Sequence, residues 1–263
     1  MPASHLQRAL TWRQQKRSQY IEFMNVLSRL TAIGQRVPGV CQVCARWPSR
    51  PICHSCTEKF APARHRCATC ARPLHTAHPQ CGACLSDRQP VALTTCLAAV
   101  DYAFPWDQII ARFKFRQEPA LAQPLAALML ATPSLSQLLQ DCDCIVPIPV
   151  STARLAERGY NQAWELTKAL RQQVGAGSAP GWAQALQRTG EAPDQHHLPA
   201  QQRLGNVRHA FRVTPSDAPR LTGAHALLID DVCTTGATLR AAALALRQAG
   251  ASRVSAAVIA RAE

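Results

Sequence analysis

The stretch ALLIDDVCTTGATL, Ala226 to Leu239, restricts the fold more than any other part of the chain. Ala226 to Ile229 are apolar without alternation, the pattern of a parallel strand buried on both faces. Two acids, Asp230 and Asp231, follow, then Thr234, Thr235, Gly236, Ala237 and Thr238, and a helical pattern running through Leu246. The spacing predicts a strand, a tight loop and a helix over Gly236 to Gln248. Gly236 lets the backbone approach a ligand, the Thr hydroxyls surround it, and the helix turns its unpaired N–H groups and positive dipole end toward the loop. Such a loop holds a phosphate. The two acids at the carboxyl end of the strand are placed to accept hydrogen bonds from sugar hydroxyls or to reach Mg²⁺ through water. A helix cap alone needs one Ser or Thr, not two acids and three Thr around a Gly. The ligand implied is a phosphorylated ribose, and no Gly-Lys pair follows to make a Walker A loop.

The cysteines are the second strong signal. Cys41 and Cys44, Cys53 and Cys56, Cys67 and Cys70, and Cys81 and Cys84 form four CxxC pairs. One knuckle aims two thiolates at a point, and two knuckles complete a tetrahedral Cys₄ zinc site, so eight ligands make two structural zinc ions. Sequential pairing is favoured, and a cross-braced arrangement stays open. Disulfides fit a reducing compartment poorly. His54, His65, His75 and His78 read as surface or supporting residues beside two complete shells. Cys96, Cys142, Cys144 and Cys233 are isolated thiols; Cys233, inside the loop with no base beside it, reads as small filler.

Charge is concentrated at one end. Residues 1–90 carry 13 Lys and Arg against three acids, and residues 91–263 carry 16 against 13. A basic N-terminal third, only partly offset by zinc thiolates, suits a polyanion such as single-stranded DNA, with Trp47 between Arg46 and Arg50 as a stacking surface or as a small core. With 47% apolar residues the chain buries a core. No apolar run reaches the ~18 residues that span a bilayer and no apolar leader follows the basic start, so membrane insertion is not expected and a cytoplasmic location is.

Residues 1–22 are polar and basic and read as a disordered extension, with Met24 as an alternative start. A short helix is expected from Phe23. Beyond Pro90, TTCLAAVDYA reads as a strand, WDQIIARFKF from Trp106 as a helix, and Pro119 to Met129 as a second, apolar helix. DCIVPIPV, Asp143 to Val150, reads as a buried strand ending in a Pro-punctuated loop suited to an unusual peptide bond. One helix is expected from RLAERGYNQAWELTKAL, with Arg154 and Arg158 at the carboxyl edge of the sheet to meet a pyrophosphate. Residues 172–207 form a long polar stretch of lid character with a short helix near Trp182 to Leu186. AFRV, Ala210 to Val213, and RVSAAVIA, Arg253 to Ala260, complete the strands.

The loop resembles the phosphoribosyl pyrophosphate (PRPP) signature of type I phosphoribosyltransferases. Together with the CxxC pairs, FKF, DCIVPIPV, ERGYNQA and the series of Arg188, Gln195, Leu198, Arg203 and Asn206, it resembles the competence-protein-F (ComF) or GntX-like family over roughly Phe23 to Arg261. The resemblance implies an α/β fold, a type I phosphoribosyltransferase-like parallel sheet flanked by helices, over 91–263, and a double zinc-ribbon module over 23–90. It implies Mg²⁺-PRPP held by Asp230, Asp231, Thr234, Thr235, Gly236, Ala237 and Thr238. It further implies Arg158, Gly159, Asn161 and Gln162 as the family's RGFNQ-type motif, joining Arg154 at the pyrophosphate, and Arg188, Gln195, Arg203 and Asn206 on a lid. Tyr160 replaces the commoner Phe, and Ala192 stands where the family often has Thr. Purine-salvage relatives carry an Asp base where Thr234 stands, so no catalytic residue is assigned. The implied role is handling of single-stranded DNA in natural transformation, with competence-machinery proteins as partners. The alternative is an active enzyme moving 5-phosphoribosyl from PRPP to a nucleobase or other nitrogen acceptor.

Overall fold

A computed structural model describes residues 39–75, 78–87, 92–189 and 210–262. The extension over 1–22, Met24 and the helix expected from Phe23 lie outside the described residues. The chain divides into two compact units, Met1–Cys53 and His54–Glu263. In the first, Gly39 and Ser49 exchange backbone hydrogen bonds around the first CxxC turn.

The second unit runs α1 (His54–Phe60), α2 (Gly82–Ser86), β1 (Thr95–Asp101), α3 (Trp106–Phe115), a 3₁₀ turn at Pro119–Leu121, α4 (Ala122–Leu130), α5 (Leu135–Asp141), β2 (Cys144–Pro147), α6 (Thr152–Arg158) and α7 (Gln162–Val174). It continues through β3 (Leu186–Arg188), β4 (Phe211–Val213), α8 (Ala218–Leu221), β5 (His225–Cys233), α9 (Ala237–Gln248) and β6 (Arg253–Arg261). Four strands form a parallel sheet in the order β1-β6-β5-β2. Its central strands are buried on both faces, which is why they read as unbroken apolar runs. Ala226, Leu228, Val254, Ala256 and Val258 share one core with Leu239, Ala242 and Leu246 of α9. Leu227, Ile229 and Ile145 alternate to the other face. Helices α4 and α7 pack against these strands. β3 and β4 pair as a separate antiparallel hairpin.

Several expectations are corrected. The strand does not stop before the acids: β5 continues through Asp230 and Asp231 to Cys233, and its pairing to β6 extends past the acids to Val232 and Cys233. The single helix expected after β2 is two. Gly159, at φ 78°, ends α6, and the Asn161 side chain caps α7 by accepting from Ala163 N and Trp164 N. No helix forms at Trp182–Leu186. There the backbone of Pro180 and Trp182 hydrogen-bonds Ile145 on the sheet edge, and the chain turns into β3. Helix α5 was not anticipated. The cis peptides among the described residues are Trp47–Pro48 and Phe104–Pro105, not in the Pro147–Pro149 loop.

Candidate phosphate-loop and Cys₄ sites

The loop expected to hold a phosphate lies at the carboxyl edge of the sheet, between β5 and α9. Asp231 is 7% exposed and Asp230 is half-buried. Asp231 N donates to Asp230 Oδ1 at 2.9 Å. Burial, with the Asp231 charge beside it, pushes the Asp230 carboxyl up to about 8. Lys114 Nζ, from the last turn of α3, lies 2.8 Å from Asp231 Oδ1. Thr234 and Thr235 are exposed at the loop tip and Thr238 is half-buried. Thr235 Oγ1 accepts from Ala237 N at 3.3 Å. Gly236 adopts φ 78° as the residue preceding α9, a left-handed conformation that strains any other residue, and it supplies no side-chain cap. The carboxylates and Thr hydroxyls fit Mg²⁺ with a phosphorylated sugar, because they are oxygen donors gathered at a helix N-terminus.

The second set of predicted residues comes from the α6–α7 junction. Arg158 is 8% exposed; its Nη1 donates to Gln162 Oε1 at 3.1 Å, and its guanidinium lies 4.9 Å over the Phe115 ring. Arg158 Nε and Gln162 Nε2, both buried, have no hydrogen-bond partner among the described residues. A buried unpaired donor costs about 1–3 kcal/mol, so two together point to a missing acceptor. Asn161 is engaged otherwise: Nδ2 donates to Ile148 O at 3.1 Å while Oδ1 caps α7. Arg154 is exposed in the first turn of α6. Arg188, on β3, is exposed, yet the protein around it displaces enough water to lower its pKa; the Arg154 charge adds to the shift and Asp230 opposes it, so these three groups are within electrostatic reach of one another. Gln195, Arg203 and Asn206 lie outside the described residues, as do Ala192 and Leu198.

The helical spacing puts Phe113 on the apolar face with Ile109 and Ile110 and Lys114 off it, and it gives neither a role at the site. Phe113 is fully buried, 5.8 Å from the Tyr160 ring, and its carbonyl accepts from the Tyr160 hydroxyl. Lys114 meets Asp231, and Phe115 carries Arg158. Three consecutive residues thus tie the α6–α7 junction to the acids. The available signal was a lysine between two aromatics at a helix end.

Two groups of four cysteines, Cys41, Cys44, Cys53, Cys56 and Cys67, Cys70, Cys81, Cys84, have their sulfurs within 4.8 Å of one another, so the pairing is sequential. Cys44 to Cys53 and Cys70 to Cys81 are each 3.7 Å apart. A tetrahedral ion with ~2.3 Å bonds to sulfur has an S–S edge of about 3.8 Å, so the spacing fits zinc. The knuckles are near copies. CQVCAR and CATCAR each place an Ala at φ 58° after the second Cys, and Cys53 N and Cys81 N point at Cys41 and Cys67 Sγ at 3.4 and 3.3 Å. Burial opposes ionisation of Cys41 and Cys67, but backbone N–H groups, chiefly of Cys44 and Cys53 and of Cys81 and Cys70, outweigh it. They bring Cys41 to about 6 and Cys67 to about 7. The histidines stand outside both groups: His54 meets Glu58, and His65 meets the His78 carbonyl. Trp47 is 68% exposed and is no core residue. No helix among the described residues is long and apolar enough to cross a membrane.

A parallel sheet with a strand–acid–loop–helix at its carboxyl edge defines a phosphoribosyltransferase-type domain, and the phosphoribosyl transferase domain family matches residues 143–263. The chain is 31% identical over 220 residues to the DNA utilization protein YhgH of Salmonella typhimurium, covering 82% of this chain and 87% of that one. The Escherichia coli K12 protein of the same name is 31% identical over 222 residues, with the same coverage. Competence protein F of Haemophilus influenzae is 30% identical over 166 residues, 61% of this chain and 70% of that one. The chain belongs to the YhgH and competence protein F family. Among solved structures, the allosteric regulatory enzyme of purine biosynthesis overlaps 56% of this chain and 29% of its own, at TM-score 0.35 and 18% identity.

Proposed function

We propose that the protein binds Mg²⁺-PRPP at the loop between β5 and α9 and handles single-stranded DNA in the cytoplasm, as part of DNA uptake with competence-machinery proteins. The observation that carries the PRPP reading is the pair of buried donors, Arg158 Nε and Gln162 Nε2, left unpartnered at the α6–α7 junction, which Phe115 and Lys114 of α3 join to the acid pair. In this reading the Thr234–Thr238 loop and the α9 N-terminus take the 5′-phosphate, and Asp230 and Asp231 take the ribose hydroxyls. Arg154, Arg158 and Gln162 take the pyrophosphate with Arg188, and Gln195, Arg203 and Asn206 are proposed as further contacts to it. Asn161 acts through the backbone it fixes. Mg²⁺ neutralises pyrophosphate charge when bound. Each Cys₄ group holds one zinc, with 23–90 as the metal module and 91–263 as the phosphoribosyltransferase-like part. The DNA reading is supported by the relatives' names and by the basic N-terminal third.

Titration with Mg²⁺-PRPP, run beside a screen of nucleobases for pyrophosphate release, tests the reading. Saturable binding without release supports a PRPP-binding role. Release with one base would make the protein a phosphoribosyltransferase, and no binding would refute the assignment.

A further inference from the structure

We propose that Arg261 is a positioning residue that couples the second Cys₄ group to the phosphate loop, so that metal at Cys67, Cys70, Cys81 and Cys84 and PRPP at the loop strengthen each other's binding; this rests on the PRPP reading above.

Arg261 ends β6 and is 2% exposed. Its Nε donates to the carbonyl of Cys70 at 2.9 Å, and its Nη1 to the carbonyl of Cys233 at 3.1 Å and to that of Ala262. Cys70 is a member of the second Cys₄ group, and Cys233 immediately precedes Thr234. One guanidinium therefore spans from the metal knuckle to the last residue of β5, which leads into the loop. The knuckle is fastened to the same sheet at two further points. Cys96 N on β1 donates to Ala68 O at 2.8 Å, and Ala71 is fully buried in the core that contains Leu239 of α9. Cys233 and Arg261 are also direct register partners on β5 and β6, and Ala262 N donates to Cys233 O at 2.9 Å.

A buried guanidinium needs a countercharge. Among the described residues no carboxylate lies within ion-pair distance of Arg261. Asp101, its register partner on β1, is held by Arg64 and Arg66 at 3.0 and 2.8 Å. Four thiolates around a divalent zinc carry a net charge of −2, and the Cys70 end of the guanidinium contact brings that charge to Arg261. Metal loading thus holds Arg261 across the two carbonyls and fixes the end of β5, where the loop begins. Loss of the metal frees the knuckle, and the loop must then be ordered at the expense of ligand affinity. Coupling of this kind is reciprocal: PRPP must retain the metal as much as the metal favours PRPP.

The test uses the full chain loaded with zinc. Release is triggered by a mercurial thiol reagent and followed with a zinc-sensitive dye, with and without Mg²⁺-PRPP, and calorimetry measures PRPP affinity on the same samples. One of the two release steps should slow with PRPP, and the zinc affinity of that site, read by competition with the dye at equilibrium, should rise about fivefold or more. That step should be missing in Cys67→Ser and present in Cys41→Ser. In Arg261→Lys, which keeps the charge but lacks the planar fork whose separate Nε and Nη1 reach the two carbonyls, the slowing should disappear. Arg261→Gln serves as the second variant. PRPP binding with both release steps unchanged, or an Arg261→Lys protein that responds like the parent, overturns the coupling alone. Absence of any PRPP binding overturns the functional reading and the coupling with it.

Discussion

Lys114 Nζ sits 2.8 Å from Asp231 Oδ1, and both side chains are largely shielded from water. The lysine comes from α3, more than a hundred residues before the acid in sequence, yet it holds one of the two carboxylates that define the site. Removing it leaves Asp231 buried without a counterion. Lys114→Met should destabilise the protein by about 1–3 kcal/mol in urea unfolding and weaken PRPP binding. The Lys114→Met/Asp231→Asn pair should be more stable than Lys114→Met alone. Additive losses would mean that the two groups do not interact.

Asp230 is expected to exchange a proton on ligand binding. Its carboxyl is raised from 3.8 to about 8 in the folded protein, first by burial and then by Asp231. A raised acid binds more protons folded than unfolded between those values, so its contribution to stability falls as pH rises from about 4 to about 8. Mg²⁺ and sugar hydroxyls favour the carboxylate, so binding should release a proton at pH 7 and tighten toward pH 8. Calorimetry in buffers of different ionisation enthalpy reads the proton count directly. No proton exchange would contradict the assignment.

Elemental analysis of reduced protein should give two zinc ions per chain, because each group of four sulfurs closes one shell. Zinc binding displaces protons from thiols, so acidification should release metal even though Cys41 and Cys67 begin at about 6 and 7. Cys41→Ser should lower the content to one ion. One zinc or none in the parent protein would refute the reading of the knuckles.

Single-stranded DNA binding should weaken with salt at a log–log slope of about −0.7 per phosphate contacted. Trp47, exposed between Arg46 and Arg50, is the expected stacking residue, at about 1–3 kcal/mol per base. Trp47→Ala should weaken binding at every salt concentration, and Arg46→Gln/Arg50→Gln should make the slope shallower. Variants that leave both affinity and slope unchanged would place the DNA surface elsewhere.

The parts of the fold legible in sequence are those set by neighbouring residues. The apolar run before Asp230, the Thr-Gly-Ala-Thr loop and the CxxC spacings each carry their geometry within a dozen residues, and the structure keeps all three. The break between α6 and α7 was equally local, since Gly159 and Asn161 are a helix end and a helix cap, but a continuous amphipathic pattern masked it. Trp182–Leu186 was misread because its backbone partner, Ile145, is supplied by the sheet edge. Lys114, Phe115 and Arg261 could not be assigned from spacing, because each acts across the fold on a residue that only the sheet topology brings near.

The central claim is tested most directly by calorimetric titration of Mg²⁺-PRPP into the parent protein and into Asp230→Asn/Asp231→Asn. The double variant keeps the shape and removes two charge-assisted acceptors, at about 1.5–3 kcal/mol each, so affinity should fall at least about tenfold. Equal affinity in the two proteins, or no binding by the parent, would contradict a PRPP site at this loop.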